Sequence, residues 1–211
     1  MRISVIGCGY LGAVHAASMA SLGHEVVGID TDAAKIELLG QGVPPFFEPE
    51  FPELLGEALA SGRLTFTTDI AEAAGASVHF ICVGTPQKRG EYAADLTYVQ
   101  ASTESLVPHL RDGDLVVGKS TVPVGTAGRV AERIAHTGAL LIWNPEFLRE
   151  GFAVQDTLSP DRIVYGLPED ESDAAEARAV LDEVYADLLA RDIPLVVTDF
   201  ATSELVKVAA N

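Results

Sequence analysis

The stretch from Met1 to Asp30 constrains the fold of this chain more than any other. Residues 2–6 are mostly branched and apolar, which predicts a buried strand. Three glycines follow at G-x-G-x-x-G spacing: Gly7, Gly9 and Gly12. A helical pattern then runs from Tyr10 to about Leu22, and residues 25–29 form a second apolar strand that ends at Asp30. Strand, glycine turn, helix and second strand together predict a βαβ unit, which belongs to a parallel sheet.

The three glycines have separate physical tasks in such a unit. Gly7 allows the tight turn, Gly9 lets the backbone approach a pyrophosphate, and Gly12 lets the helix pack close to the strand. The open N–H groups at the start of the helix can then hold phosphates. The alternative is a glycine-rich turn in an ordinary α/β domain, but the complete strand–turn–helix–strand context favours a dinucleotide site.

Asp30 selects the cofactor. Its carboxylate can accept the two hydroxyls of an adenosine ribose, and it would repel the 2′-phosphate of NADP. No arginine follows it in Thr31-Asp32-Ala33, so the sequence predicts NAD. Lys35, one turn into the next helix, either reaches the adenosine side or is a solvated surface lysine.

Composition narrows the class of partner. The chain has 211 residues, 48% of them hydrophobic, and a formal net charge of −17. The charge argues against a nucleic acid or an anionic membrane as partner, and no apolar run approaches the length of a membrane span. The two cysteines, Cys8 and Cys82, fit a reducing cytoplasm and are expected to be buried thiols rather than a disulfide framework. No metal site is expected.

Strands and helices alternate along the rest of the chain, which predicts an α/β fold: a Rossmann-type, doubly wound, mostly parallel sheet with helices on both faces. Further strands are expected at 64–67 and 161–165, Asp32 is expected to cap a helix through about Leu39, and an acidic amphipathic helix is expected from Glu169 to about Leu189. We assign residues 1–200 to this domain. Ligands of such sheets bind beyond the carboxyl ends of the strands. Thr85 follows the strand 78–83 and is expected to touch the cofactor, although Gly84-Thr85-Pro86 would also serve as a plain turn. Thr121 follows the strand 115–119 and is expected at the nicotinamide half, although Ser120 and Thr121 could instead cap a helix.

Two later stretches add charged groups. Asn144 to Gly151 follow the strand 140–143 and carry Glu146 and Glu150, which share one face if the segment turns helically. These acids could perform acid–base chemistry, or simply favour the dipole at a helix start. A final helix, capped by Asp199 or Thr202, stops at Asn211 without Gly, Pro or a polar tail, so we expect the chain to be a fragment cut inside a longer helix.

The ordered set GCGYLG, Asp30, CVGTP, KSTVPVGT, NPEFLREG and ELVKVAAN resembles the nucleotide-sugar 6-dehydrogenases over the whole chain. Members of that family oxidise a sugar C6 alcohol to a carboxylate and reduce two NAD. The resemblance implies an N-terminal NAD-binding domain, with residues 201–211 beginning a central helix. It also implies that a C-terminal sugar-nucleotide domain and most of a dimer interface are missing here. The family's nucleophilic cysteine lies in that missing part, and neither Cys8 nor Cys82 replaces it, so the fragment is expected to bind NAD without turnover.

The resemblance also assigns residues. The expected NAD contacts are Gly7, Gly9, Tyr10, Leu11, Gly12, Asp30, Lys35, Thr85, Thr121 and Glu150. The expected sugar-nucleotide contacts are Phe147, Leu148, Arg149, Glu150, Lys207 and Asn211. The expected catalytic residues are Thr121, Glu146, Glu150, Lys207 and Asn211, with Glu146 in thioester hydrolysis and Lys207 stabilising an oxyanion near C6.

Three functions remain open on the sequence. The loop PPFFEPEFPELL and the TPQ after the fourth strand favour oxidation of UDP-glucose to UDP-glucuronate. Enzymes acting on GDP-mannose or UDP-N-acetyl-mannosamine share most of the motifs. A stand-alone NAD-binding module is the third possibility, but such a module has no use for Glu146, Glu150 and Lys207.

Overall fold

The computed structural model describes residues 1–210, and the predicted site residue Asn211 lies outside the described residues. Within this range no helix combines the length and the apolar character that crossing a lipid bilayer requires.

In the part of the chain that the structure describes, a single sheet of eight strands forms the centre, in the order β3-β2-β1-β4-β5-β6-β7-β8. The strands are β1 (Arg2–Ile6), β2 (Glu25–Ile29), β3 (Leu64–Thr67), β4 (Val78–Ile81), β5 (Leu115–Gly118), β6 (Leu140–Trp143), β7 (Ile163–Leu167) and β8 (Leu195–Asp199). All neighbours pair in parallel except β6 and β7, which are antiparallel and meet at Trp143 and Gly166. The predicted doubly wound, mostly parallel fold is confirmed.

Within residues 1–210, eight α-helices connect these strands and a ninth follows β8. They are α1 (Tyr10–Ser21), α2 (Ala33–Gly40), α3 (Phe51–Ala60), α4 (Thr97–Leu106), α5 (Thr126–Ile134), α6 (Ala153–Leu158), α7 (Glu171–Val184), α8 (Ala186–Leu189) and α9 (Phe200–Ala210). Short 3₁₀ turns span Ile70–Gly75, Val107–His109 and Ala135–Thr137. Side chains begin several of the helices as predicted: Asp32 accepts the Lys35 N–H at 3.1 Å, and Asp199 accepts the Thr202 N–H at 2.6 Å.

The core lies on both faces of the sheet because successive strand residues point to opposite sides. In β5, Val117 packs into the cluster that contains α1 and α3, whereas Val116 packs into the cluster that contains α4 and α5. The same alternation separates Val5 from Ile6 in β1. The central strands are buried on both faces, as the near-continuous apolar runs predict.

Two predicted boundaries are wrong. The strand expected at 161–165 is β7, two residues later, because Pro160 to Arg162 form the turn that reverses the chain into the antiparallel position. The single acidic helix expected from Glu169 to Leu189 is broken at Tyr185 into α7 and α8. The Tyr185 ring is buried against the core, which places its hydroxyl beneath the ends of β5 and β6.

Candidate functional site

The glycine turn between β1 and α1 requires glycine at two of its three positions. Gly7 has φ +91°, and a Cβ there would lie 2.8 Å from Val83 Cγ1. A Cβ on Gly12 would lie 1.8 Å from the Gly7 carbonyl oxygen, which no side chain can tolerate. Gly9 is different, since a Cβ there would meet nothing within 4 Å. The missing side chain at Gly9 therefore leaves space at the start of α1 rather than relieving an internal clash.

Asp30 is bound to the glycine turn. Its Oδ2 accepts the Cys8 N–H at 2.8 Å and pairs with Lys35 Nζ at 2.9 Å, while its Oδ1 accepts the Asp32 N–H at 3.0 Å. The side chain of Asp30 is 11% exposed and that of Lys35 is 26% exposed. Lys35 is therefore ion-paired beside the turn rather than simply solvated, and the pair lies where β2 ends.

An open cleft of about 390 Å³ lies at the carboxyl ends of β1, β4, β5 and β6. It is lined by Gly9, Tyr10, Leu11, Cys82, Val83, Gly84, Thr85, Lys119, Ser120, Thr121, Glu146, Leu148, Glu150 and Lys207. Nine of the residues predicted from the sequence are among these. A neighbouring hollow of about 290 Å³ shares Glu146, Leu148 and Lys207 with the cleft and adds Phe147 and Arg149. The structure thus gathers two adjoining spaces at the edge where such sheets bind ligands.

The loops after β4 and β5 are joined to each other. The Thr85 hydroxyl donates to the Thr121 carbonyl at 2.6 Å, and the Ser120 hydroxyl donates to the Val83 carbonyl at 2.7 Å. The helix-capping interpretation of Ser120 and Thr121 is wrong, because α5 begins at Thr126. The carboxylate of Glu204, on α9, caps that helix instead.

The segment Asn144 to Arg149 has no regular secondary structure, so Glu146 and Glu150 do not share a helical face. The helical arrangement that would bring the two acids onto one face is not formed. Pro145 disfavours helical geometry in the residue before it, and the Arg149 side chain pairs with Asp156 at 2.6 Å, which fixes the end of the segment on α6. Both glutamates nevertheless line the cleft.

Cationic groups surround the Phe147 ring. Arg162 lies with its Cζ 4.9 Å from the ring centroid, and Lys207 Nζ lies 5.4 Å from it. Burial lowers the pKa of Lys207, with the negative charge of Glu146 opposing that effect and the positive charge of Lys119 adding to it. The cleft and the adjoining hollow each carry as many cationic as anionic side chains, although the chain as a whole is strongly acidic.

Sequence reasoning missed Lys119, which is 3% exposed at the end of β5. Its ammonium lies 2.8 Å from Glu146 Oε2 and 3.0 Å from Asn144 Oδ1. Burial lowers the pKa of Lys119, but the charge and hydrogen bond of Glu146, together with Tyr185 and Cys82, outweigh burial and hold the pKa above its ordinary value. The available signal was a lysine directly after the apolar run Leu115-Val116-Val117-Gly118, a position where an unpaired charge would be costly.

Two buried carboxylates were also missed as parts of the site. Glu48 accepts the Tyr10 O–H and the N–H groups of Gly151 at 3.0 Å and Ala153 at 2.7 Å. Glu204 accepts the N–H groups of Gly125 at 2.7 Å and Ala127 at 2.6 Å, and so caps α5 from α9. No local pattern distinguishes these two glutamates from the exposed ones, since each has its partners far away along the chain.

The two cysteines are buried thiols, as the sequence predicts. Cys8 and Cys82 are free and buried. Burial raises the pKa of Cys82 to about 12, and it raises that of Cys8 further, with the charge of Asp30 adding to it. Neither thiol is poised to form a nucleophilic thiolate near neutral pH.

Comparison with known proteins identifies the class to which this site belongs. The sequence profile of the UDP-glucose/GDP-mannose dehydrogenase family, NAD binding domain, matches residues 1–189. The chain belongs to this family. It is 47% identical to UDP-glucose 6-dehydrogenase of Rhizobium meliloti, over 100% of the chain and 49% of that protein. The chain thus spans about half the length of the curated relatives it matches.

Solved structures agree with this assignment. A UDP-glucose dehydrogenase from Pyrobaculum islandicum superposes with a TM-score of 0.89 at 42% identity, covering 99% of this chain and 48% of that one. A GDP-mannose dehydrogenase from Pseudomonas aeruginosa superposes with a TM-score of 0.89 at 34% identity, covering 100% and 49%.

The cofactor of this domain family is NAD, and the residues of the turn fit it. The start of α1 has no side-chain cap and no acidic residue in its first turn, so its N–H groups are free of protein carboxylates. Gly9 leaves open space beside them. Such an end suits a pyrophosphate, and Asp30 lies at the end of β2, where a ribose is held in folds of this class.

Proposed function

We propose that this chain is the NAD-binding part of a nucleotide-sugar 6-dehydrogenase that oxidises UDP-glucose to UDP-glucuronate. The observation that carries the proposal is the single cleft at the ends of β1, β4, β5 and β6, where the open start of α1 faces Thr121, Glu146 and Lys207. Family membership and the 47% identity to a UDP-glucose 6-dehydrogenase support the choice of reaction.

The cofactor side of the cleft is assigned to the glycine turn and its neighbours. In this proposal Gly7, Gly9 and Gly12 shape the turn, and Tyr10 and Leu11 lie along the pyrophosphate. NAD held there would supply the hydride acceptor for the two oxidations at the sugar C6. The roles of the remaining predicted contacts follow the same order along the sheet: Asp30 and Lys35 at the adenosine ribose, Thr85 at the other ribose, and Thr121 and Glu150 near the nicotinamide.

The residues of this chain that we propose to take part in the reaction lie beside the adjoining hollow. Lys207, half-buried beside Phe147 and at the wall shared by both hollows, stabilises the oxygen on which negative charge grows during oxidation. Glu146 accepts a proton from the water that hydrolyses the last acyl intermediate. Phe147, Leu148 and Arg149 line the adjoining hollow that we assign to the sugar nucleotide.

The remaining parts of the proposal concern the division of the chain into domains and the rest of the complete protein. We assign residues 1–200 to the NAD-binding domain and residues 201–211 to the start of a central helix, with Asn211 beside the sugar. A C-terminal domain completes the sugar-nucleotide site and supplies the nucleophilic cysteine. The complete protein forms a homodimer through the central helix and works in the cytoplasm.

The test is an assay of the complete protein that its gene encodes, with UDP-glucose, GDP-mannose and UDP-N-acetyl-mannosamine offered in parallel. We expect two NADH per UDP-glucose consumed, and Glu146→Gln should retain NAD binding while the final hydrolysis slows. Oxidation of GDP-mannose but not of UDP-glucose would contradict UDP-glucose as the substrate. A protein that binds NAD tightly but oxidises none of the three sugars would favour the stand-alone binding module.

A further inference from the structure

The Lys119 ammonium is held in a closed network at the back of the cleft. Besides Glu146 and Asn144, it lies 3.4 Å from the Tyr185 hydroxyl, so each of its three hydrogens has an oxygen within reach. The Tyr185 hydroxyl donates to Asn144 Oδ1 at 2.8 Å, and Asn144 Nδ2 donates to the Val164 carbonyl at 2.9 Å. The ammonium therefore has one fixed position, set by three strands and the end of α7.

Tyr185 is a neutral partner in this network. Burial raises the pKa of Tyr185 to about 12, with the charge of Lys119 opposing that rise, so its hydroxyl keeps its proton near neutral pH. Asn144 carries no charge. The carboxylate of Glu146 is thus the one anion that touches the ammonium within residues 1–210, and the pair forms because an isolated buried ammonium would be costly.

The same pair fixes Glu146. Only Oε2 is engaged by Lys119, and within the described chain the other carboxylate oxygen accepts no hydrogen bond from the protein. The Glu146 side chain is 14% exposed and lines both the cleft and the adjoining hollow. One oxygen is therefore anchored and the second remains available to a group in the cleft.

We propose that Lys119 is a positioning residue for Glu146: it anchors one carboxylate oxygen and leaves the second oxygen to accept a proton in the cleft. This inference rests on the proposed function. Lys119 lines the cleft but is only 3% exposed, and its ammonium is engaged by Glu146, Asn144 and Tyr185, so its effect on a group in the cleft passes through Glu146.

Other charged groups around Glu146 do not replace Lys119. Lys207 on α9 faces it across the cleft without forming an ion pair, and Cys82 at the end of β4 and Tyr185 are neutral thiol and phenol. The cavity walls near Glu146 also carry His15, Asp156, Asp161 and Arg162, and the cleft wall carries Glu150. Of these, Asp156 is paired with Arg149. Lys119 is the cation in direct contact.

The first test is carboxyl ¹³C NMR of Glu146 in the 211-residue chain at neutral pH, before and after Lys119→Met. We expect the Glu146 carboxyl resonance to move and to broaden, because the carboxylate loses the cation that fixes one of its oxygens. Lys35→Met, which removes the lysine of the Asp30 pair, is the matched control and should leave the Glu146 resonance in place. An unchanged Glu146 resonance in folded Lys119→Met would overturn the proposal.

A second variant covers the case in which Lys119→Met does not fold. In Glu146→Gln the ammonium stays buried without its anion, so the pKa of Lys119 should fall below that of exposed lysines. The probe is ¹⁵N NMR of the lysine side chains in the same chain. Retention of the Lys119 proton at a pH where the exposed lysines have lost theirs would refute the dependence on Glu146.

The role in turnover is tested on the complete protein. With Lys119→Met, the acid limb of the kcat–pH profile should move to higher pH, while the KM for the sugar nucleotide changes less than twofold. The control is Arg63→Met, which removes an exposed cation at the opposite edge of the sheet and should leave the profile unchanged. Normal turnover with an unshifted profile would refute the role of Lys119 alone. Absence of turnover in the unaltered protein would instead refute the proposed function.

Discussion

The buried carboxylate of Glu48 connects the glycine turn to the segment after β6, and its removal should destabilise the chain strongly. Glu48 is 3% exposed and accepts three hydrogen bonds, from the Tyr10 hydroxyl and from the N–H groups of Gly151 and Ala153. Burial and the bond to Glu48 raise the pKa of Tyr10 to about 12, so the phenol remains a donor. The carboxylate thus satisfies donors from α1 and from the start of α6.

The expected loss in the free energy of unfolding follows from those three donors. An unsatisfied buried donor costs about 1–3 kcal/mol, so three lost partners set a range of about 3–9 kcal/mol. Water entering the vacated space satisfies some of them, so we expect Glu48→Ala to lower the free energy of unfolding by about 3–5 kcal/mol. Glu48→Gln keeps the shape but places an amide N–H against one donor, and should cost about 2–3 kcal/mol.

Urea denaturation of the 211-residue chain measures both effects, with the m-value checked for constancy. Glu57→Gln, an exposed position on α3, is the control and should change the stability by less than about 0.5 kcal/mol. A loss of less than about 1 kcal/mol in Glu48→Ala would show that the three contacts are not maintained in solution and would refute the reasoning.

Three further predictions follow from the geometry of single residues. Gly12→Ala should destabilise or unfold the chain, because the new Cβ would lie 1.8 Å from the Gly7 carbonyl oxygen. Gly9→Ala places its Cβ where nothing lies within 4 Å, so this variant should keep its stability but lose affinity for NAD in calorimetry. Glu204→Ala should cost about 2–4 kcal/mol in urea denaturation because two N–H groups at the start of α5 lose a charged acceptor; a cost below about 0.5 kcal/mol would contradict this. The bonds from Arg149 lower the pKa of Asp156, so the stability they supply is present above the unfolded-state pKa of about 4 and is lost as pH falls through the folded-state pKa. Arg149→Met should therefore reduce the acid-side dependence of the melting temperature, and an unaltered dependence would count against the pair.

The sheet was predictable because its strands are short apolar runs between clear turn residues. The strands Glu25–Ile29, Leu64–Thr67 and Leu140–Trp143 match the prediction at both ends. The position of β7 was not predictable to the residue, because the antiparallel pairing with β6 depends on the turn at Pro160 to Arg162 and on one register pair. Helix starts fixed by Asp32 and Asp199 were predictable since the cap and its partner are neighbours in sequence.

The site was predictable only in part, because some of its charged residues are positioned by partners that are distant in sequence. Residues at strand ends, such as Thr85 and Thr121, share the cleft because parallel strands end at the same edge. Lys119, Glu48 and Glu204 are charged residues whose burial depends on partners brought together by the whole fold. A sequence pattern gives the charge but not the partner, so these three were not assigned.

Calorimetric titration of the 211-residue chain with NAD and, separately, with NADP tests whether Asp30 selects the cofactor. We expect that NAD binds, that NADP binds at least about tenfold more weakly because Asp30 repels a 2′-phosphate, and that Asp30→Ala loses NAD binding while remaining folded. Equal affinity for the two cofactors, or NAD affinity unchanged in folded Asp30→Ala, would contradict the assignment of the ribose to Asp30 and with it the orientation of the cofactor along the cleft.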